Sequence, residues 1–311
     1  MSMHSHIPPE LFGYKVIDRL GEGAASTVYA VADPKSRQVL ALKHVLRNSE
    51  KDQRFIDQLE QEHKIGSKLD HPNIRGILRY LTNKKGWIGP VTDAGLVMEL
   101  IDAATLEGEQ RPSGEVIARY FAQAARGLAH MHDRGFVHAD MKPSNMMVND
   151  DGTVKIIDLG QACPIGTKKA RVQGTPGYIA PEQAFKEAIT PATDVYNFGA
   201  TLHWVLVRTE IPCALPSGET STERRVPPNQ IRAPRPVHEQ DPAVPPEFND
   251  LVQGCVRVAQ KDRIQSMEDV AERLEAIADL CARTGKGREL EGRVGRGRAP
   301  DRRYDSEASR V

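Results

Sequence analysis

Between Val137 and Asn145 the chain reads V-H-A-D-M-K-P-S-N, and thirteen residues after Asn145 comes Asp158 in I-I-D-L-G. An acid at Asp140, a lysine two residues on and an amide three beyond it can hold a nucleophile, a phosphoryl group and a metal within one short loop. An H-x-D triplet alone is as readily a solvated turn. Lys142, Asn145 and Asp158 at these separations shift the reading to phosphoryl-transfer chemistry.

Such a loop needs a rigid support, and the sequence supplies one. From Ser113 to Arg134 the apolar residues Ile117, Phe121, Ala124, Leu128 and Met131 recur at steps of four, three, four and three, which predicts an amphipathic helix delivering the loop. His130 and His132 on that helix read as surface or capping residues. Two short strands, Met146 to Val148 and Val154 to Ile157, joined by the turn Asn149-Asp150-Asp151-Gly152, bring Asp140 and Asp158 onto neighbouring loops. Upstream, strands at Tyr14 to Leu20 and Thr27 to Ala32 flank G-E-G-A-A-S. In such a turn no Cβ intrudes at the glycines, so backbone N–H groups can lie close over phosphates. Val39 to Leu46 predicts a third strand carrying Lys43, Asp52 to Leu69 a helix, and Ile74 to Leu81 with Gly95 to Leu100 the last two of five strands.

Taken together, these segments resemble the eukaryotic-type Ser/Thr protein kinases, a family bacteria also carry, over about Tyr14 to Arg283. The resemblance implies an α+β, two-lobed fold. A small antiparallel sheet with one helix would occupy residues 14–101, and a larger, mainly helical lobe residues 102–283. It implies that Asp140 accepts the proton of a protein Ser or Thr hydroxyl, that Lys142 steadies the γ-phosphate, and that Asn145 and Asp158 bind Mg²⁺, or Mn²⁺, on ATP. Lys43 in A-L-K would contact the α- and β-phosphates and pair with a helix glutamate. Glu60 and Glu62 are both candidates, and the spacing to H-P-N at His71 to Asn73 selects Glu62. Leu20, Gly21, Glu22, Gly23, Val28 and Ala41 would surround the nucleotide. Met98 would stand at the back of the adenine pocket, with Glu99 to Ile101 as the hinge that reads the adenine edge. The nine-residue G-T-P-G-Y-I-A-P-E places Thr175 for substrate positioning and Glu182 for a pair with Arg263, while Asp194 would cap the catalytic loop from below.

Three positions depart from the family pattern: Ser26 replaces a third glycine, Ala139 an arginine and Leu159 a phenylalanine. The missing arginine removes the usual grip on a phosphorylated activation segment. The expectation is therefore activity without phosphorylation at Thr167, although Lys168, Lys169 and Arg171 stand beside it. A nucleotide-binding scaffold without transfer activity and a small-molecule kinase are the alternatives. The intact G-T-P-G-Y-I-A-P-E segment favours a protein substrate over the latter.

Composition bounds the rest. The 311 residues carry 42 basic and 42 acidic side chains, so no overall field favours nucleic acid or an anionic membrane. The longest apolar run, around Trp204 to Val207, is too short to span a bilayer, and the expected location is cytoplasmic. Cys163, Cys213, Cys255 and Cys281 show no C-x-x-C and read as reduced thiols; Cys163 alone, in the predicted activation segment, could have a redox role. Residues 1–13 read as a flexible lead-in, where His4 and His6 are too few for a metal site. Residues 284–311 read as a disordered Gly/Arg-rich tail. Nine of 21 prolines fall between Pro212 and Pro246, predicting an extended surface connection, with a docking segment as the alternative reading.

Overall fold

The structure is a computed structural model and describes residues 7–23, 25–86, 89–108, 110–216 and 225–292. The first lobe is an antiparallel sheet of β1 (Glu10–Leu11), β2 (Tyr14–Glu22), β3 (Thr27–Ala32), β4 (Val39–Leu46), β5 (Ile77–Lys84) and β6 (Val91–Met98), in the order β1-β2-β3-β4-β6-β5. Helix α1 (Gln53–Gly66) follows β4. Central strand β4 is buried on both faces. Leu40 and Leu42 join Tyr14, Val16, Tyr29, Val31 and Val97 on the outer side, while Ala41 and Val45 join Leu96 and Met98 against α1. The helix presents Ile56, Leu59, Glu62, Ile65 and Gly66, a stripe at helical spacing with one carboxylate in it. It lies so close to β5 that a Cβ on Gly66 would sit 2.3 Å from Ile77 Cγ1.

Five strands were expected in this sheet, and the described residues form six. Glu10 and Leu11 pair with Lys15 and Tyr14 through a tight turn at Phe12 and Gly13, both at positive φ. Leu11 and Phe12 pack on the outer cluster, and the Phe12 ring meets His44 edge-on at 5.7 Å. The expected lead-in is thus part of the sheet from residue 10, because two adjacent apolar side chains have a surface to cover. His4 and His6 lie outside the described residues.

The second lobe begins with β7 (Ala104–Thr105) and α2 (Gly114–Asp133), whose Ser113 Oγ accepts from Val116 N at 3.4 Å. After it come β8 (Phe136–Val137), β9 (Met146–Val148), β10 (Val154–Ile156) and β11 (Cys163–Pro164). The remaining elements are α3 (Pro181–Ala184), α4 (Pro191–Val207), α5 (Val237–Gln240), α6 (Glu247–Cys255) and α7 (Met267–Thr284). Helix α4 is buried nearly all round, its Phe198 ring meeting Phe121 of α2 edge-on at 5.2 Å. Ser266 caps α7 through Asp269 N at 3.0 Å, and Gly285 ends it at φ 71°.

Residues beyond Arg283 also depart from expectation. Gly287 O accepts from Gly114 N, Gly292 N donates to Arg111 O, and Leu290 is fully buried. A single leucine anchors this stretch against α2; residues 293–311 lie outside the described residues. The proline-rich connection is held where Val237 and Val244 are buried, and residues 217–224 of it are outside the described residues. Among the described residues no helix is long and apolar enough to cross a membrane.

Candidate active site

The loop from Val137 to Asn145 leaves α2 through β8 and enters β9 through a 3-10 turn over Pro143–Asn145. Its conformation is imposed from beneath. Asp194, fully buried in the first turn of α4, accepts from the backbone N–H groups of His138 at 2.8 Å and Ala139 at 2.7 Å, and from the His132 ring at 2.9 Å. Burial alone would raise the Asp194 pKa, but these donors outweigh it and hold the carboxyl below the ordinary value. His132 is therefore a structural partner, not the surface residue its helix position suggested.

Above this support three side chains of opposite origin meet. Thr175 Oγ1 donates to Asp140 Oδ1 at 2.8 Å, Lys142 Nζ donates to Thr175 Oγ1 at 3.0 Å, and Lys142 Nζ lies 3.4 Å from Asp140 Oδ2. Asn145 Nδ2 donates to the Asp140 carbonyl at 2.8 Å, which fixes the loop and leaves the amide oxygen as a donor atom for a cation.

The first lobe contributes Lys43 from β4. Its ammonium lies 2.8 Å from Glu62 Oε2 and 3.4 Å from Asp158 Oδ1, so one cation joins α1, the sheet and the loop after β10. Burial works against that charge, yet Glu62 and Asp158 outweigh it and raise the Lys43 pKa well above its usual range. Lys43 in turn holds Asp158 well below the usual carboxylate range, while burial pushes Glu62 up against the pull of Lys43. Glu60, the other candidate, pairs with Lys64 on the exposed side.

A cavity of about 280 Å³ lies between these groups, lined by Ala25, Ser26, Lys43, Glu62, Asp140, Lys142 and Asp158 among others. Above it the β2–β3 hairpin closes with Gly23 N donating to Ser26 O at 2.7 Å. Among the described residues a Cβ on Gly21 would meet nothing within 4 Å. Leu20 is exposed on β2 and Val28 half-buried on β3, opposite Gly21; Ala24 lies outside the described residues. Ala41 and Met98 are buried and face each other across β4 and β6. They stand beyond the cavity, as do Glu99 and Ile101. The Glu99 carboxylate is engaged by Gly76 N at 3.0 Å and Lys155 Nζ at 2.9 Å. Among the described residues no backbone group takes up the Glu99 carbonyl or the Ile101 N–H.

The donor set suits a hard cation. Asp158 and Asn145 offer oxygens, and among the described residues no group of three or more His, Cys, Asp or Glu could hold an ion unaided. A Mg²⁺-like ion, which keeps waters and phosphate oxygens in its shell, fits two such protein ligands.

The segment leading away is tied down. Glu182 and Arg263, both buried, form a two-pronged pair at 2.7 and 2.8 Å, and Gln183 Nε2 donates to Ala139 O at 2.7 Å. Ala139 adopts φ 62° within an apolar cluster of Val137, Cys163 and Ile189. The Cys163 thiol is buried, and that burial pushes its pKa up, which weighs against a redox role. Sequence reasoning missed Gln183, His132 and Arg75. For Arg75 the signal was present, as a cation inside the apolar stretch I-R-G-I-L.

A strand-borne lysine paired to a helix acid faces two acids on adjacent loops of a helical lobe, the arrangement of a two-lobed fold with one cleft between its halves. The chain belongs to the protein kinase family, whose domain model matches residues 14–274. A Clostridium acetobutylicum protein named a probable serine/threonine-protein kinase is 26% identical over 276 residues, covering 84% of this chain and 39% of that one. The serine/threonine-protein kinase PknA of Mycobacterium tuberculosis is 31% identical over 195 residues, 60% of this chain and 44% of its own. PknB of Mycobacterium leprae is 31% identical over 215 residues, 64% of this chain and 33% of its own. The chain thus spans less than half the length of these relatives.

Proposed function

We propose that this chain transfers the γ-phosphoryl group of ATP to Ser or Thr hydroxyls of proteins. The observation that carries this reading is the Thr175–Asp140–Lys142 cluster facing Lys43 and Asp158 across one cavity. Asp140 receives the proton of the acceptor hydroxyl as its oxygen bonds to the γ-phosphorus. The bond from that phosphorus to the bridging oxygen breaks, and ADP leaves. Lys43 neutralises the α- and β-phosphates, Lys142 the transferring group, and Thr175 seats the acceptor beside Asp140. Asn145 and Asp158 would hold the divalent ion, which when bound neutralises charge on the β- and γ-oxygens. The purine would reach past Ala41 and Val28 to Met98, with the Glu99 carbonyl and Ile101 N–H reading its edge. Because the parts act by position and charge, each must be present.

Labelled ATP with Mg²⁺, and separately Mn²⁺, plus a generic protein acceptor tests this, followed by identification of the labelled amino acid. Phosphoserine or phosphothreonine is expected, with loss of about 100-fold or more in Asp140→Asn and in Lys43→Met. Nucleotide binding without transfer would select the scaffold reading instead, and transfer only to small alcohols a small-molecule kinase.

A further inference from the structure

Arg75 lies between the second lobe and the sheet, in the connection from α1 to β5. Its backbone is fixed on both sides: Arg75 N donates to Ile156 O at 2.9 Å, and the next N–H, of Gly76, donates to Glu99. The side chain then turns towards Met98. Nη1 reaches Met98 Sδ at 3.7 Å and the Ile157 carbonyl at 3.4 Å, and Nη2 reaches Met147 Sδ at 3.7 Å. Among the described residues Nε is buried without a hydrogen-bond partner. Five N–H donors thus share two thioethers, which are weak acceptors, and one long bond to a carbonyl.

Such a cation is under-satisfied for its depth. Burial draws the Arg75 pKa below its ordinary value, opposed only by the fields of Glu62, Asp158 and Glu99. None of these three carboxylates makes a hydrogen bond to it: Glu62 is held by Lys43, and Glu99 by Lys155 and Gly76.

The register of the sheet shows what would come within reach. Lys43 and Ala41 lie on one face of β4, about 7 Å apart, and Met98 is directly opposite Ala41. A nucleotide with its phosphates at Lys43 and Asp158 therefore carries its base towards Met98 and the guanidinium beside it. We propose that Arg75 reads the base, donating a hydrogen bond to N7 of the bound purine. The ring nitrogen supplies the strong acceptor that two sulfurs do not, through one N–H of the fork, since adenine carries an amino donor where guanine offers a second acceptor. The proposal rests on the nucleotide reading of the site.

The test compares ATP with 7-deaza-ATP, in which C–H replaces N7 and the rest of the base is retained. The wild-type chain prefers ATP in kcat/KM by about tenfold or more, the range of a hydrogen bond to a charged group. Arg75→Met brings the ratio close to one. A purely structural Arg75 would lower the melting temperature of that variant and leave the ratio alone, which would overturn the proposal. Equal use of both nucleotides by the wild type would do the same. Should Arg75→Met fold poorly, Arg75→Leu removes the donors with another apolar side chain, and an undiminished preference there would also count against it. Dissociation constants for ADP and 7-deaza-ADP give the same ratio without chemistry. Discrimination in binding with no transfer would sink the kinase activity and leave Arg75 in place. Binding without discrimination would sink the Arg75 role alone, and a wild type binding neither nucleotide would sink both.

Discussion

Asp194 and Ala139 are joined by a 2.7 Å hydrogen bond from the backbone N–H to a carboxylate with no solvent exposure. Ala139 is a non-glycine residue at φ 62°, a conformation that costs energy and persists only where surroundings impose it. Among the described residues, the three partners of the Asp194 carboxylate approach as donors. An asparagine would turn an N–H₂ group on one of them. Asp194→Asn should lose about 1–3 kcal/mol of stability, and transfer activity should fall further than stability alone explains. Melting curves and turnover, measured together, check this; a variant that melts and turns over as the wild type does would refute it.

The Glu182–Arg263 pair anchors the segment that carries Thr175. Both side chains are almost wholly buried, so removing one leaves an uncompensated charge. Glu182→Gln should destabilise by about 3–5 kcal/mol in urea unfolding. A loss under about 1 kcal/mol would mean that water reaches the freed guanidinium.

His203 supplies a pH dependence with a definite sign. It is buried, its Nδ1 faces the Thr209 carbonyl at 2.9 Å and its Nε2 faces the Gln240 amide nitrogen at 3.0 Å, an arrangement suited to the neutral ring. Burial lowers its pKa from 6.5 to about 4. The unfolded chain therefore binds the proton first, and this contribution to stability is full above pH 6.5 and is lost as the pH falls towards about 4. The His203 share at pH 5 should be about 2 kcal/mol below its value at pH 7. A ring resonance of His203 titrating near neutrality would contradict it.

Thr167 should be dispensable. Ala139 brings no cation to the activation segment but sits in an apolar cluster, and Thr167 Oγ1 is spent on the Pro164 carbonyl at 2.6 Å. Thr167→Ala should keep transfer activity within about twofold, a change of under 0.5 kcal/mol in barrier. Loss of most activity, together with phosphate found on wild-type Thr167 by mass spectrometry, would reverse this reading.

Much of the candidate site's geometry was legible, because the residue types that phosphoryl transfer would need stand at fixed spacing. Counting back from His71 chose Glu62 over Glu60, and the structure pairs Glu62 with Lys43 and sends Glu60 to Lys64. What escaped were contacts made across long sequence separations without a motif. His132 sits on a helix face that periodicity marks as polar, yet the buried Asp194 lies under it. Arg75 is hidden in a strand-like apolar run, where only coordinates reveal two methionine sulfurs beside it. Glu10 and Leu11 are too short a segment to show alternation, and their pairing follows from the strand they fold back upon. Leu290 is a lone apolar residue in a polar context, and composition cannot tell an anchor from a bystander.

Gly66 leaves no clearance between α1 and Ile77. Ile77 is β-branched and stiff, so it cannot fold out of the way of an added carbon. A methyl group at 66 would act as a wedge, levering the helix off the sheet one turn from Glu62 and drawing that acid away from Lys43. A chain so altered would keep its outline while its charge clasp stood open, which makes the bare backbone of one glycine the tolerance to which the two halves of the site are fitted.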